Sequence, residues 1–538
     1  MEEYDIKQSK LCHKSFEVDV KLKKFVIVVL LFILSNFCFS HGGVLSGYKN
    51  VKVARTQWFD IIYPEECEIS AQILYEKADS LYDELCVAYN YQRKFRMPVV
   101  ITPAVENFNA YYTSYPYNHI VLFDTGIVES LEVFTETILS VFKHELTHAV
   151  TLNLTNPFFT LLSYLFCDGF NIGNIFISSG IAEAATVSWE SMNGEGRLNS
   201  DYALQPLRQS KIEENFPSFY DMQGARDIYP AGTYYMYNGA FAEWLQENFG
   251  MKKYAEFYYE LSNLGGISTG SIFKKVYGIK LKDAWSKFYS DLEIPKVHSN
   301  PVKAKEVKDF FNTNKDDYSI NNKKGGLYSH LTKGKNGFEY LEELTETVYF
   351  MNKENKPQKL FSQNNITNIN LSADSDFIVV DFLDISGSVI KSKIRIYDMN
   401  NKKWIKIPDT GIAKGTIVKT EEKTYLVCQH SLSQNYKIRI YEVNPEQDAV
   451  EIKREIPFEY NKVPSNFVDI GNGNFAYKLK SGLNISLVVS DIEGNEKQII
   501  KIKNEDIAEI RHLSSDLHLQ KQKDSGKEAT KLIFSCTK

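Results

Sequence analysis

The sequence predicts an α+β domain followed by an all-β, propeller-like region. Three observations predict it. Strand-like and helical patterns alternate up to the helix that Pro295 ends. Helical periodicity then stops and short alternating strands take over. Within those strands a pattern recurs: Lys393-Ile-Arg-Ile-Tyr397-Asp-Met-Asn400 returns as Lys437-Ile-Arg-Ile-Tyr441-Glu-Val-Asn444, with weaker copies at Val348–Asn352 and Leu487–Asp491. The steps of about 44 to 49 residues match the period of propeller blades, and about four to five blades fit. A twisted β-sandwich is the alternative architecture. The expected divisions are a targeting segment at 1–40, the α+β domain at 41–298, a polar linker at 299–325 and the β-rich repeats at 326–538.

At about 150 residues per domain, 538 residues suggest two to four domains. An apolar fraction of 43% with 24% charged residues suits a globular chain with a sizeable core. The net charge is −6 and no basic patch stands out, which argues against a nucleic-acid partner. Lys21, Lys23 and Lys24 precede an apolar run from Phe25 to Phe39, and Ser40, Gly42 and Gly43 follow. This is the layout of an export signal. As a helix, Phe25 to Ser40 would span about 24 Å, short of a hydrocarbon core of roughly 30 Å, which favours a cleaved signal over an anchor. The chain is therefore expected to be exported, periplasmic or in the cell envelope. After cleavage an odd five of the seven cysteines would remain, none in C-x-x-C spacing, so neither a disulfide framework nor a cysteine zinc site is expected.

Arg55 to Tyr63 reads as a strand ending at Pro64, and Glu68 to Asn90 as an amphipathic helix with Ile69, Ile73, Leu74, Leu81 and Leu85 on its apolar side. Met97–Thr102 and Tyr117–Phe123 read as short strands. His119, in the second, suits a strand surface or a groove better than a metal. Leu154 to Phe176 is apolar without a clear period, and both a buried hairpin and a membrane-facing flap fit it. Further helices begin after Gly180 and near Tyr234, and continue to Pro295.

One stretch carries chemistry. Leu131, Phe134, Ile138, Val141, Phe142 and Leu146 recur at three- and four-residue steps, and no Pro or Gly interrupts Ser130 to Asn153. Inside this helix stands His144-Glu145-Leu-Thr-His148. Two histidines four apart share a helix face, with Cβ atoms roughly 5–6 Å apart. That suits two imidazoles closing on one Zn²⁺, with Glu145 beside them to polarise a bound water. A catalytic zinc of this kind needs a third protein ligand. Glu183 lies 35 residues after His148, on a later helix that can return it to the metal. A buried, merely hydrogen-bonded histidine pair and a surface Glu183 are the bland alternatives.

His144-Glu145-Leu-Thr-His148, the Gly180-Ile-Ala182-Glu183 helix and the Tyr237-Asn-Gly239 helix start together resemble the peptidase MA-like gluzincins, zinc metallopeptidases that include thermolysin and aminopeptidase N. The version attached to a TolB-like β-propeller is the nearest resemblance. It implies a zincin-like fold over roughly Arg55 to Ile294, with Zn²⁺ as cofactor and a protein or peptide substrate. In that family the third ligand is the first Glu of an E-G-x-A-E-like helix. Laid over this sequence, that slot falls on Ser179, and Glu183 takes the second acidic position. Either Glu183 is the ligand, or the site is a two-histidine remnant. The resemblance further implies Glu145 as general base, a tyrosine near Tyr237 or Tyr235 as oxyanion donor, and the strand Tyr117–Phe123 as the edge on which an extended peptide adds. Glu190 reads as structural.

Two functions follow. One is an exported zinc metallopeptidase that hydrolyses peptide bonds by metal-activated water. The other is a catalytically weak or inactive pseudopeptidase, an envelope scaffold that binds proteins through its propeller-like region. The N-terminal apolar segment offers a membrane association in either case.

Overall fold

The sheet of the first half has the order β1-β2-β3-β5-β4. Its strands are β1 (Val51–Arg55), β2 (Phe59–Pro64), β3 (Met97–Thr102), β4 (Ala110–Thr113) and β5 (His119–Phe123). β2, β3 and β5 run parallel, and β1 and β4 are antiparallel edges. The computed structural model describes residues 45–294 and 325–501, apart from 46, 105–108, 126–133, 169–170, 225–231, 334–343, 353–356, 386–389 and 447–448, together with short strands between 512 and 537. The targeting segment at 1–40 and the linker up to residue 324 lie outside these residues. Among the described residues no helix is long and apolar enough to cross a membrane.

Helix α1 (Glu68–Ala88) makes the crossover from β2 to β3. The expected single strand Arg55–Tyr63 is in fact two. Asp79 of α1 accepts hydrogen bonds from Thr56 Oγ1 (2.8 Å), Gln57 N (2.9 Å) and Trp58 N (3.1 Å), and so holds a turn between β1 and β2. The expected substrate edge is also corrected. β5 is paired on both sides, with β3 and with β4, so among the described residues β4 is the edge strand on that side. A hairpin through Ser114, Tyr115 and Pro116 folds β4 back along β5. The four residues Ala110–Thr113 were too short for alternation to reveal a strand.

Helix α2 (Thr137–Thr151) lies on this sheet, its Phe142 edge-on to Phe59 at 5.3 Å. Ile138, Leu146, Ala149 and Val150 enter the same core. The stretch Leu154–Phe176 is not a hairpin. It forms α3 (Pro157–Leu165), with Pro157 at its first turn and the Asn156 side chain accepting from Phe158 N and Phe159 N, then a 3-10 turn at Ile172–Asn174. Helices α4 (Ser179–Glu190), α5 (Asp201–Ile212), α6 (Thr233–Phe249), α7 (Met251–Leu261), α8 (Thr269–Tyr277) and α9 (Leu281–Asp291) complete the α+β half. Cys67, Cys86, Cys167 and Cys428 are free.

The second half is all β. A three-stranded antiparallel sheet over 325–364 is followed by three four-stranded antiparallel meanders over 366–406, 412–457 and 462–501, and then by two short two-stranded sheets. The sequence repeat falls on the third strand of each meander: Lys391–Asp398, Asn435–Asn444 and Asn484–Asp491. Alternate residues of a strand point to opposite faces. In Phe377–Asp384, Ile378 and Val380 pack on Val348 and Phe361 of the preceding sheet, while Val379 between them packs with Ile417 and Leu426 of the next. Val418, Val427 and Ile438 then meet Phe475, Tyr477 and Val488. The inner sheets are thus covered on both faces by their neighbours in sequence. A sandwich buries one face of each sheet, so this stacking is propeller-like.

The two halves meet through polar bolts. Ser433, in a tight turn before the strand Asn435–Asn444, donates to the buried Asp124, which also accepts from Ser70 Oγ at 3.0 Å. Gln434 Nε2 donates to Thr125 O (2.7 Å), and Lys480 Nζ to Phe134 O (2.9 Å). Asn461 donates to Glu136, the residue that precedes α2.

Candidate metal centre

α2 is built to display two imidazoles. Its core side is filled by Phe142, Leu146 and Val150, and the opposite side turns His144 and His148 toward α4, with ring centroids 5.1 Å apart. Glu183, on the second turn of α4, reaches both. Its Oε2 stands 3.2 Å from His144 Nε2 and 3.4 Å from His148 Nε2. One ligand atom from each of the three residues lies within 4.8 Å of the others. Two ligands of a tetrahedral zinc at about 2.0–2.1 Å stand roughly 3.3–3.4 Å apart, the edge of the tetrahedron. Both separations match that edge, so the donor set fits the ion. Ser179, in the slot the resemblance assigned to the ligand, is exposed at the first position of α4.

Packing places α4 there. Gly180 comes so close to Met222 O that a Cβ would stand 2.4 Å from it, and a Cβ on Gly239 of α6 would stand 2.4 Å from Val187 Cγ1. Between them, Asn238 donates to Met222 O (2.5 Å) and accepts from Gln223 Nε2 (2.8 Å), and Gln223 Oε1 accepts from Ser178 Oγ (2.6 Å). The Asn-Gly pair of α6 therefore serves to seat α4 and its Glu183.

Behind His144 stands a second carboxylate. Glu190, 3% exposed, lies seven residues after Glu183, two turns on along the same face of α4. Its Oε2 accepts from His144 Nδ1 at 2.8 Å, which leaves Nε2 for the cluster. Arg197 holds Glu190 from the other side, through Nε to Oε1 (2.5 Å) and Nη2 to Oε2 (3.0 Å). The turn that brings Arg197 back passes through Gly196 at φ +84°, where a Cβ would meet Glu190 O at 2.5 Å. His148 Nδ1 is buried and has no hydrogen-bond partner.

The electrostatics favour a cation. Glu145, Glu183 and Glu190 against Arg197 are three carboxylates against one guanidinium, an excess of acidic groups around the cleft. Burial by itself would lower the His144 pKa, but Glu183 and Glu190 outweigh it and raise it to about 9. Burial would raise Glu183, yet the two histidines hold it well below the usual carboxylate range. Glu190 is likewise pulled down to about 2, against its burial, by Arg197 and His144.

These groups line a cleft of about 410 Å³ that includes Glu145, Asn109–Tyr112, Phe134, Val141 and Tyr235. Edge strand β4 thus forms one wall. Tyr235 lies beneath the Arg197 guanidinium, 5.1 Å from its ring centroid. Burial first, and the Glu183 charge next, raise its hydroxyl pKa and keep it protonated. The structure does not bring Tyr237 to the cleft. Its hydroxyl donates to Ser210 Oγ (2.6 Å) and Pro206 O (3.1 Å) on α5, because residues two apart on a helix face different ways. His119 stays on β5, its Nδ1 2.9 Å from Tyr117 O. Sequence reasoning missed Arg197 and β4 altogether. It read Glu190 as structural, although the seven-residue spacing from Glu183 was a signal.

No family model matches the chain. A protein of Treponema pallidum (strain Nichols), described as uncharacterized, is 27% identical over 380 residues. The match covers 70% of this chain and 33% of that protein, so the chain spans about a third of its relative's length. Among solved structures, TolB from Acinetobacter baumannii has a TM-score of 0.23 at 18% identity over 32% of this chain and 41% of its own. The periplasmic gluconolactonase PpgL of Pseudomonas aeruginosa has 0.24 at 13% identity, over 33% and 55%. The β-propeller domain of the Trilobed protease from Pyrococcus furiosus has 0.23 at 14% identity, over 39% and 77%. Likeness at this level carries no chemistry to the present chain.

Proposed function

We propose that the chain is an exported, zinc-dependent metallopeptidase. The observation that carries this reading is the convergence of His144 Nε2, His148 Nε2 and a Glu183 oxygen at tetrahedral-edge spacing, with Glu145 in the same cleft. His144, His148 and Glu183 would hold the ion. A bound Zn²⁺ supplies Lewis acidity, which brings the pKa of a coordinated water toward about 7.

The chain's own residues do the rest. Edge strand β4 lines the cleft, so an extended peptide would lie along it as a further strand. Glu145, 6% exposed, accepts the proton of the attacking water and passes it to the leaving amine. Tyr235, held protonated, donates toward the oxygen on which charge develops. Glu190 and Arg197 orient His144 through Nδ1, the role of a carboxylate behind a ligating histidine. The contacts of Lys480 with Phe134 O and of Asn461 with Glu136 tie the cleft mouth to the β-rich half, which supports a part for that half in limiting which substrates enter.

Zinc stoichiometry and casein cleavage test the reading together. About one zinc per chain is expected, lost in Glu183→Ala and kept in Glu145→Gln, with cleavage lost in both. Zinc absent from the parent chain would overturn the proposal. Zinc retained by Glu183→Ala would remove Glu183 as ligand.

A further inference from the structure

We infer that α3 and the two turns beside it form a face that docks on the surface of a lipid bilayer. The inference does not depend on the metal site. α3 is inverted: Phe158, Leu161, Tyr164 and Leu165, spaced three and four apart along one side, are 63%, 55%, 79% and 66% exposed. Its hydroxyl residues turn back on the chain instead. Thr160 Oγ1 donates to Asn156 O (2.9 Å) and Ser163 Oγ to Thr160 O (2.8 Å). An ordinary surface helix has the opposite arrangement.

Hydrogen bonds lay two further apolar turns beside it. Asn156 N donates to Asn263 Oδ1 (2.8 Å), and Leu264 N to Gly173 O (3.0 Å). These turns add Ile175, Phe176 and Ile267, each half-exposed or more. Seven such side chains at on the order of 100 Å² each give roughly 700 Å², more than the few hundred Å² of contiguous apolar surface common on soluble monomers.

Charge identifies the occupant. Asp168 is the one charged residue between Leu154 and Ile177, and its carboxylate turns inward to accept from Asn118 N (3.0 Å). Ser262 to Ile272 contains no charge. These stretches lack the charged and polar rim ordinarily found around a protein interface, and apolar side chains with a tyrosine suit the border between headgroups and hydrocarbon. The chain outside the structure agrees. The apolar run that reads as an export signal ends at Phe39, twelve residues before Val51, a span of at most about 40 Å. Before any cleavage, a bilayer that holds this run lies within reach of the domain.

The test uses the full chain with vesicles of phosphatidylcholine and phosphatidylglycerol whose acyl chains carry bromine, which quenches tryptophan at short range. The emission added by Tyr164→Trp is expected to fall by half or more. The emission added by Ile452→Trp, an exposed site on the β-rich half, is expected to stay unchanged. Adding Leu161→Glu and Leu165→Glu to Tyr164→Trp is expected to abolish the quenching with the far-UV circular dichroism unaltered. No quenching at position 164, or equal quenching at 452, overturns the inference. So does a concentration-dependent dimer that shields position 164 without lipid, since a second copy would then be the occupant.

Discussion

Glu190→Gln is the sharpest probe of how the cleft is held. In the structure Glu190 Oε2 accepts from His144 Nδ1 at 2.8 Å and shares Arg197 with Oε1. Glutamine keeps the volume and one acceptor but removes the charge and sets an NH₂ against donors. A charge-assisted hydrogen bond is roughly twice as strong as a neutral one, and loss of such a carboxylate behind a metal-bound histidine weakens metal binding by about 10- to 100-fold. That is about 1.4–2.7 kcal/mol. The Arg197 side chain is 20% exposed, so leaving it without a charged partner costs about 1–2 kcal/mol of stability rather than the larger figure for a sealed pair. Zinc affinity by competition with a chromogenic chelator reads the first effect, and urea unfolding of the zinc-free protein reads the second. Zinc affinity within about twofold of the parent would refute the reasoning, because His144 would then need no carboxylate to orient it.

Other outcomes follow from single contacts. Glu145→Gln should keep zinc and lower casein cleavage by about 10²–10⁴-fold, and a variant that cleaves normally would remove Glu145 as base. Gly239→Ala places a Cβ 2.4 Å from Val187 Cγ1, so it should destabilise the fold by about 1–3 kcal/mol and weaken zinc binding by shifting α4. Val187→Ala in the same chain should restore much of both, as thermal unfolding and the chelator titration would show. Asp381, buried where the second and third β-sheets meet, accepts from Lys414 N (2.5 Å), Gly415 N and Asn368, yet burial lifts its pKa to about 7. Its folded pKa is above its unfolded value, so its contribution is present below about pH 4 and is lost as pH rises through about 7. Asp381→Asn should flatten the pH dependence of urea stability over that window by up to about 4 kcal/mol. An unchanged slope would mean that the carboxylate ionises freely.

Much of this protein is written in its local sequence. The three- and four-residue apolar steps around His144 determine a helix with one buried side, and the four-residue histidine spacing then puts both imidazoles on the other. The strand repeat determined the third strand of each four-stranded meander, since a two-residue alternation and a similar length between copies survive without knowledge of the fold. These features depend on neighbours along the chain.

What only the tertiary structure decided depends on contacts between distant segments. Glu183 meets the histidines because Gly180 and Gly239 let α4 approach its neighbours within the width of a missing methyl group, and no spacing in the chain states that approach. Tyr235 rather than Tyr237 faces the cleft because the rotation of α6 is set by packing on α5. β4 is the edge because a hairpin folds it outside β5. Arg197 becomes part of the site through a turn at Gly196 that doubles the chain back on Glu190. Sequence determines which face a helix buries, since that follows from its period. Which two helices then meet, and at what rotation, follows from side-chain volumes summed over the whole core.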